Sequence, residues 1–373
     1  MNLPEDYQLL IEDFNTHRSE LYNIVSRESE YSAEDFDFLW GDLAHFFESL
    51  PQAISNLSIA RKAASFYAAN SCKGASLEWL PWGEVLFCPA SNAVIPVVPT
   101  TLLSLLLNGN KVVVAPSRKT TASAKLIVNL IVNRFTKWND KVVFYEEGGR
   151  KAIEQYVQGR KVKLLWFQGD SAHRATVIQD CLDNCVDYVY EGSGNCLTIV
   201  DNLSSHEKVC KAADIIFRAA LICHGRLCTT PRIVFVSRYC VAEFKKHIQS
   251  LSQYSDNQRK FGVFEFAIDA IPTGLLRSER GDDVITLITF ERLSDVVKCL
   301  RDYCFGIQLA FFTDESRASV LHLFGETIVS RFLFNLSPVF QRSAVAWGGY
   351  GFSGPNPVCS LLEKAHRAVV IHE

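Results

Sequence analysis

VLFC (85–88), KVVVA (111–115), KVVFY (141–145), KLLWF (163–167) and VDYVY (186–190) are short apolar or β-branched runs whose starts stand 26, 30, 22 and 23 residues apart. Each interval holds one strand and one crossover helix, the arithmetic of an α/β domain built on a five-stranded parallel sheet. A sheet of this kind binds ligands beyond the carboxyl ends of its strands. Nucleotide binding is therefore an expectation, although fold alone does not determine function.

Upstream of these runs, residues 1–70 read as helices. Leu9, Leu10, Phe14, Leu21, Ile24 and Val25 recur at three- and four-residue steps. A second stripe, Phe36 to Leu50, follows the helix-start signal Ser32-x-x-Asp35. Downstream, TIVD (198–201), a helical stretch over 206–222 and the strand RIVFV (232–236) lead to a weakly patterned, polar segment, 250–282. A strand at 284–288, a helix at 294–303 and a strand at 307–313 then rebuild an α/β unit.

Composition narrows the function classes. Of the 373 residues 48% are hydrophobic and 21% charged, as in a globular protein, which excludes disorder as the dominant state. A net charge of −3 predicts no general attraction to nucleic acid or anionic membranes. The start MNLPEDYQ is too acidic for a signal peptide. The longest apolar stretch, residues 93–107, is short for a membrane span and is broken by Pro96 and Pro99. A cytoplasmic protein is expected.

The twelve cysteines are scattered and read as mostly small, reduced core residues. Neither Cys181-x-x-x-Cys185 nor Cys223-His224-x-x-x-Cys228 has a second pair at zinc-finger spacing, so no metal is expected. The glycine fingerprints G-x-G-x-x-G and G-x-x-x-x-G-K-[ST] are absent.

Seven segments instead match one pattern in one order. They are WGEVLFCPASNAVIP (82–96), NGNKVVVAPSRKTTASA (108–124), LLWFQGDSAHRATVI (164–178), YEGSGNCLTIVDN (190–202), HGRLCTTPRIVFV (224–236), FGIQLAFFT (305–313) and WGGYGFSG (347–354). Together they resemble the aldehyde dehydrogenase superfamily. That resemblance implies a Rossmann-type five-stranded parallel sheet domain plus a second α/β catalytic domain. The corresponding division is 1–203 for the N-terminal helices and dinucleotide domain, 204–330 for the catalytic domain, and 331–373 for a segment returning to the first domain or to an assembly interface. A homodimer or larger homo-oligomer is implied as well.

The resemblance also assigns roles. Cys228 matches the nucleophile whose thiolate attacks a carbonyl carbon, and it follows a helix and a glycine turn, where a thiolate is favoured. Read without the resemblance, any one of twelve cysteines is a buried structural residue. Glu191 matches the general base for thioester hydrolysis, against the plain reading of a turn carboxylate beside Gly192 and Gly194. Asn92 matches the oxyanion-hole amide, against the plain reading of a turn residue after Pro89.

Cofactor positions depart from the pattern. Candidate dinucleotide-binding residues are Ala115, Pro116, Ser117, Arg118, Gly169, Asp170, Ser171, Arg174 and Gly192. Ala115 replaces the usual lysine, and Arg118 replaces the usual glutamate. An arginine there suits the 2′-phosphate of NADP better than the bare ribose of NAD. Asp170 would repel a pyrophosphate unless Ser171, His173 or Arg174 compensates. The nicotinamide-ribose motif has no clear counterpart, with Glu279–Asp283 the nearest guess.

The expected activity is NAD(P)-dependent oxidation of an aldehyde, NADP being preferred. EGSGNC (191–196) also resembles the glutamyl-phosphate reductases, and the short chain resembles acyl-CoA reductases, so NADPH-dependent reduction of an acyl-CoA or acyl phosphate is the alternative within enzymes. The altered A-P-S-R and G-D-S segments motivate a third reading, a degenerate member kept as a scaffold.

Overall fold

The computed structural model describes residues 3–71, 75–194, 196–254, 262–272, 274–277, 284–303, 305–327, 329, 331–339 and 365–372. These fall into two compact units. One runs to Glu191 and takes in the C-terminal strand; the other begins at Gly192 and holds the described residues up to Val339.

The first unit opens with helices α1 (Leu3–Thr16), α2 (Arg18–Ser29) and α3 (Ala33–Ser71). At the head of α3 Ser32 and Asp35 form a reciprocal capping box. The Ser32 backbone N–H donates to Asp35 Oδ2 at 3.0 Å, and the Asp35 N–H donates to Ser32 Oγ at 3.2 Å. Both apolar stripes turn inward, with Leu10, Phe14, Leu21, Val25, Phe36 and Leu43 buried. Strand β1 (Ala75–Pro81) follows.

The expected five-stranded sheet consists of β2 (Glu84–Cys88), β3 (Lys111–Val114), β4 (Val142–Phe144), β5 (Leu164–Gln168) and β6 (Asp187–Glu191). Its order is β4-β3-β2-β5-β6 and every pairing is parallel. The chain steps outward from β2 to β4, then returns to β5 on the other side of β2. That reversal makes a switch point between the carboxyl ends of β2 and β5, where such sheets place ligands.

Helix α4 (Val94–Leu107) accounts for the long apolar stretch: it is buried almost all round, from Val94 to Leu106, as a core helix and not a surface one. Among the described residues no helix is long and apolar enough to cross a membrane. Helix α5 (Thr121–Arg134) is held at both ends by the N-terminal helices. At its start the Glu28 carboxylate accepts from the Ala122 N–H at 2.7 Å and the Ser123 N–H at 3.2 Å. At its end Arg134 donates twice to Asp13, both bonds 2.7 Å long. The short α6 (Gly149–Ala152) runs on into a π-helical turn over Ile153–Gln158, and α7 (Arg174–Asn184) links β5 to β6.

The second unit contains β7 (Cys196–Val200), α8 (His206–Leu221), β8 (Pro231–Ser237), α9 (Val241–Tyr254), β9 (Gly262–Ala267) and β10 (Val284–Phe290). It continues with α10 (Leu293–Cys299), β11 (Gln308–Phe312), α11 (Arg317–Phe324) and β12 (Arg331–Phe334). The strands form one parallel sheet ordered β12-β11-β7-β8-β10-β9. One face packs on α8 and α9 through Ile216, Phe217, Phe244 and Ile248. The other packs on α10 and α11 through Val296, Val320 and Phe324.

Three expectations meet differences. The change of sheet comes between Glu191 and Cys196, ahead of the boundary expected at 203, because β7 pairs with β8 and β11. The weakly patterned 250–282 segment contains strand β9, an edge strand whose exposed Phe264 and Glu265 hide the alternation expected of a half-buried strand. The C-terminal segment divides: β12 stays in the second sheet, while β13 (His366–His372) pairs antiparallel with β1 in the first unit.

Asn110 holds that return in place. Fully buried, its side chain accepts from the Gly83 N–H at 3.2 Å and donates to the carbonyls of Leu105 and Ala365 at 2.9 and 2.6 Å. Asn110→Leu leaves three backbone groups without this partner, and a loss of about 2–4 kcal/mol is expected from unmet buried groups. Urea denaturation measures it; a midpoint equal to wild type would show that the three bonds contribute nothing.

Candidate active site

In the first unit the candidate residues gather at the carboxyl ends of neighbouring strands. After β2 the chain bends through Ser91–Ala93 into α4, with Asn92 half-buried and its carbonyl accepting from the Tyr31 hydroxyl at 2.9 Å. After β3, Ala115 and Pro116 are buried, and the Ala115 N–H donates to the Phe87 carbonyl at 2.8 Å. Ser117 Oγ caps the 3-10 turn Arg118–Thr120 by accepting from the Lys119 N–H. Arg118 is exposed, and its Nε donates to the Glu147 carbonyl at 3.3 Å, while the Glu147 carboxylate pairs with Lys151 at 2.6 Å.

After β5, Gly169 donates its N–H to the Glu191 carbonyl at 2.9 Å. Asp170 Oδ1 accepts from the Ala172 N–H at 2.9 Å and so caps the 3-10 turn Ser171–His173, which passes into α7 at Arg174. The carboxylate that looks misplaced beside a pyrophosphate is therefore a turn cap, and the Tyr190 hydroxyl donates to the Asp170 carbonyl at 2.7 Å.

Glu191 closes β6, 9% exposed. Gln168 is its register partner on β5, and Trp166, two residues earlier, points to the same face. Trp166 Nε1 donates to Glu191 Oε1 at 3.0 Å, and Gln168 Nε2 donates to Oε2 at 2.8 Å. Each carboxylate oxygen thus has its own donor. The Gln168 Oε1 atom is buried with no protein partner among the described residues. The sequence reading missed both donors, although the two-residue spacing of Trp166 and Gln168 before a strand end was a visible signal.

Cys228 belongs to the second unit. Helix α8 ends at Leu221, and Cys223, His224 and Gly225 then take left-handed φ values of 51°, 57° and 66°. For the two residues other than glycine such a conformation costs about 1 kcal/mol or more each and persists only where the surroundings enforce it. Arg232 supplies the enforcement. Buried on β8, it donates to the Gly194 carbonyl at 3.3 Å and also to the Gly225 carbonyl. Gly194 in turn lies flat against the cysteine loop: a Cβ built on it would stand 2.7 Å from the Cys228 Cβ and 2.5 Å from the Ile307 Cδ1.

Cys228 itself is half-buried. Burial pushes the Cys196 thiol up to about 11 and the Cys88 and Cys181 thiols up to about 12, and Cys223 is buried too. Gly192, the remaining cofactor candidate, opens the second unit and is half-buried. The WGGYGFSG segment and the Glu279–Asp283 guess lie outside the described residues.

Comparison with known proteins gives this arrangement its class. The aldehyde dehydrogenase family model matches residues 8–257, more than half of the chain, and the protein belongs to that family. Fatty aldehyde dehydrogenase HFD1 of Saccharomyces cerevisiae is 20% identical over 235 residues, 63% of this chain and 42% of that protein. The aligned stretch thus spans less than half of that relative's length.

Two solved structures share the fold. Aldehyde dehydrogenase 21 from Physcomitrella patens, in complex with the reaction product succinate, superposes with a TM-score of 0.79 at 14% identity, covering 99% of this chain and 85% of that one. An NAD-dependent aldehyde dehydrogenase from Sinorhizobium meliloti gives 0.80 at 14% identity, covering 100% and 82%.

Two measurements test the geometry. A double-mutant cycle of Trp166→Phe with Glu191→Gln is expected to show a coupling of about 1–3 kcal/mol in stability, the range for a hydrogen bond to a buried charge. Additive effects would mean the bond contributes nothing. Alkylation with iodoacetamide at about pH 7.5 is expected to label Cys228 and the exposed Cys185 well before Cys88, Cys181 and Cys196, since the thiolate is the reactive form. Peptide mass spectrometry showing Cys196 labelled as fast as Cys228 would contradict this.

Proposed function

We propose that the chain oxidises an aldehyde to a carboxylic acid with a nicotinamide dinucleotide, NADP being favoured over NAD. Cys228 is the nucleophile, Glu191 the general base and Asn92 the oxyanion donor. The observation that carries this reading is Cys228: a half-buried thiol on an enforced left-handed loop, where Cys88, Cys181 and Cys196 are held protonated by burial.

The Cys228 thiolate adds to the aldehyde carbon, and the carbonyl oxygen becomes an oxyanion stabilised by the Asn92 side-chain N–H. A bound dinucleotide supplies the hydride acceptor that turns this adduct into a thioester. Water attacks the thioester carbon while Glu191 takes its proton; the thiolate leaves and the acid is released. The bonds from Trp166 and Gln168 hold the carboxylate oriented at the end of β6 for that role.

The residues at the carboxyl ends of β2, β3 and β5 fit a dinucleotide. Asp170 is engaged by its own turn, Gly169 has no side chain, and the unmet Gln168 Oε1 is an acceptor that a bound amide would satisfy. Arg118 meets Glu147 through Nε, whereas a bidentate phosphate contact takes its terminal nitrogens. Ala115, whose side chain is a methyl group, offers no side-chain donor.

The two donors on Glu191 also favour a second reading, reduction of an acyl-CoA or acyl phosphate to an aldehyde by NADPH. In that direction the thioester forms by loss of CoA or phosphate from the acyl donor, and a clamped Glu191 need not activate water.

Glu191→Gln separates the readings. Hydrolytic oxidation predicts a burst of reduced cofactor followed by slow turnover, while unchanged turnover, or turnover that requires CoA or phosphate, establishes the reductive one. Cys228→Ser is expected to abolish the acyl adduct in both cases. For the cofactor, a preference for NADP of about 1–3 kcal/mol is expected if the charge-assisted contact forms. Dissociation constants for both dinucleotides in wild type and Arg118→Glu check it; a ratio unchanged by the substitution removes Arg118 from the argument.

A further inference from the structure

We infer that the first turns of α8 and α9 form a binding site for zinc or a similar borderline-soft dication, with His206, Cys210 and Glu243 as its ligands. Four residues apart on α8, His206 and Cys210 share one helix face. Glu243 comes from the first turn of α9, which packs alongside. One ligand atom from each of the three lies within 4.8 Å of the others. Cys210 Sγ stands 3.6 Å from His206 Nε2, and His206 Nδ1 touches Glu243 Oε1. Two ligands at Zn–S of about 2.3 Å and Zn–N of about 2.0–2.1 Å, set at a tetrahedral angle, stand about 3.5 Å apart. The observed sulfur–nitrogen separation fits a shared metal.

The scaffold beneath is rigid. Val209, Ala212 and Ala213 of α8 and Phe244 and Ile248 of α9 belong to one buried cluster, which fixes the backbone positions of the donors. The His206 side chain is 79% exposed, so its ring turns toward a metal without disturbing packing. Thiolate, imidazole and carboxylate form a donor set that selects zinc over calcium or magnesium, which take oxygen ligands.

On binding, the Cys210 thiol releases its proton to solvent and the resulting thiolate bonds the metal. With the Glu243 carboxylate it neutralises the dication; neutral His206 is the third ligand and water the fourth. The third donor lies 33 residues beyond Cys210, which is why spacing rules for paired cysteines and histidines pass over the site. A metal here ties α8, the helix that leads into the Cys228 loop, to α9.

Cobalt(II) titration of the full chain tests the site by absorbance, independently of turnover. The expected result is a near-ultraviolet thiolate-to-cobalt band at one equivalent, displaced by zinc and lost in Cys210→Ser. His206→Ala and Glu243→Gln are each expected to weaken binding about tenfold or more, as loss of a ligand does. Zinc should also raise the wild-type melting temperature and leave that of Cys210→Ser unmoved. No thiolate band, or a band that survives Cys210→Ser, would overturn the assignment and leave His206 and Glu243 as an ordinary surface ion pair.

Discussion

Parallel pairing with both faces covered is the constraint from which the rest follows. Val85, Leu86 and Phe87 of β2, and Leu164, Leu165 and Trp166 of β5, are all buried, so a charged side chain has no place along these strands. Polar groups concentrate at the carboxyl ends: Gln168 and Glu191 at the last positions of β5 and β6, Asn92, Ser117 and Asp170 in the turns just beyond. There the backbone leaves the sheet and its hydrogen-bonding groups need new partners, which Ser117 and Asp170 supply as caps. Glu84 and Asp187 stand exposed at the starts of β2 and β6, whereas Glu191 is carried buried to the end of β6, and it is tolerated there because two donors from β5 reach it.

The cysteine loop answers a different requirement. The nucleophile proposed at Cys228 must be both fixed and accessible, and a helix or strand would bury it or leave its position to side-chain rotamers alone. Three successive left-handed residues turn the chain sharply after α8, and a buried guanidinium holding two backbone carbonyls keeps them so. Arg232 brings its charge into the interior, where the carbonyl dipoles of Gly194 and Gly225 accept from its guanidinium.

Legibility followed burial. The five strands of the first sheet begin within one residue of where the apolar runs place them; β2, β3 and β5, covered on both faces, read as unbroken apolar stretches. Helix α8 likewise matches its expected 206–222 span to a residue. The second sheet's edge strand and the terminal ribbon were not legible. Strand β9 exposes side chains that an inner strand would bury, and β1 and β13, a two-stranded ribbon, announce themselves only once residues nearly three hundred positions apart are paired. At the candidate site the motif residues were legible one by one. Their supports were not: Trp166 and Gln168 are ordinary strand residues until register puts Glu191 beside them, and Arg232 becomes a brace only through carbonyls at 194 and 225.

Gly194 carries a consequence for how such a protein changes over generations. Serine or alanine at 228 is no larger than the half-buried cysteine it would replace. A single methyl group at 194 instead collides with the Cys228 carbonyl oxygen and Cβ, and of the atoms it meets only Ile307 Cδ1 is a side-chain tip. Position 194 resists drift although it contributes no functional group at all. A descendant that had lost the Cys228 thiol would be expected to keep this glycine, as the mould of a loop that outlasts it.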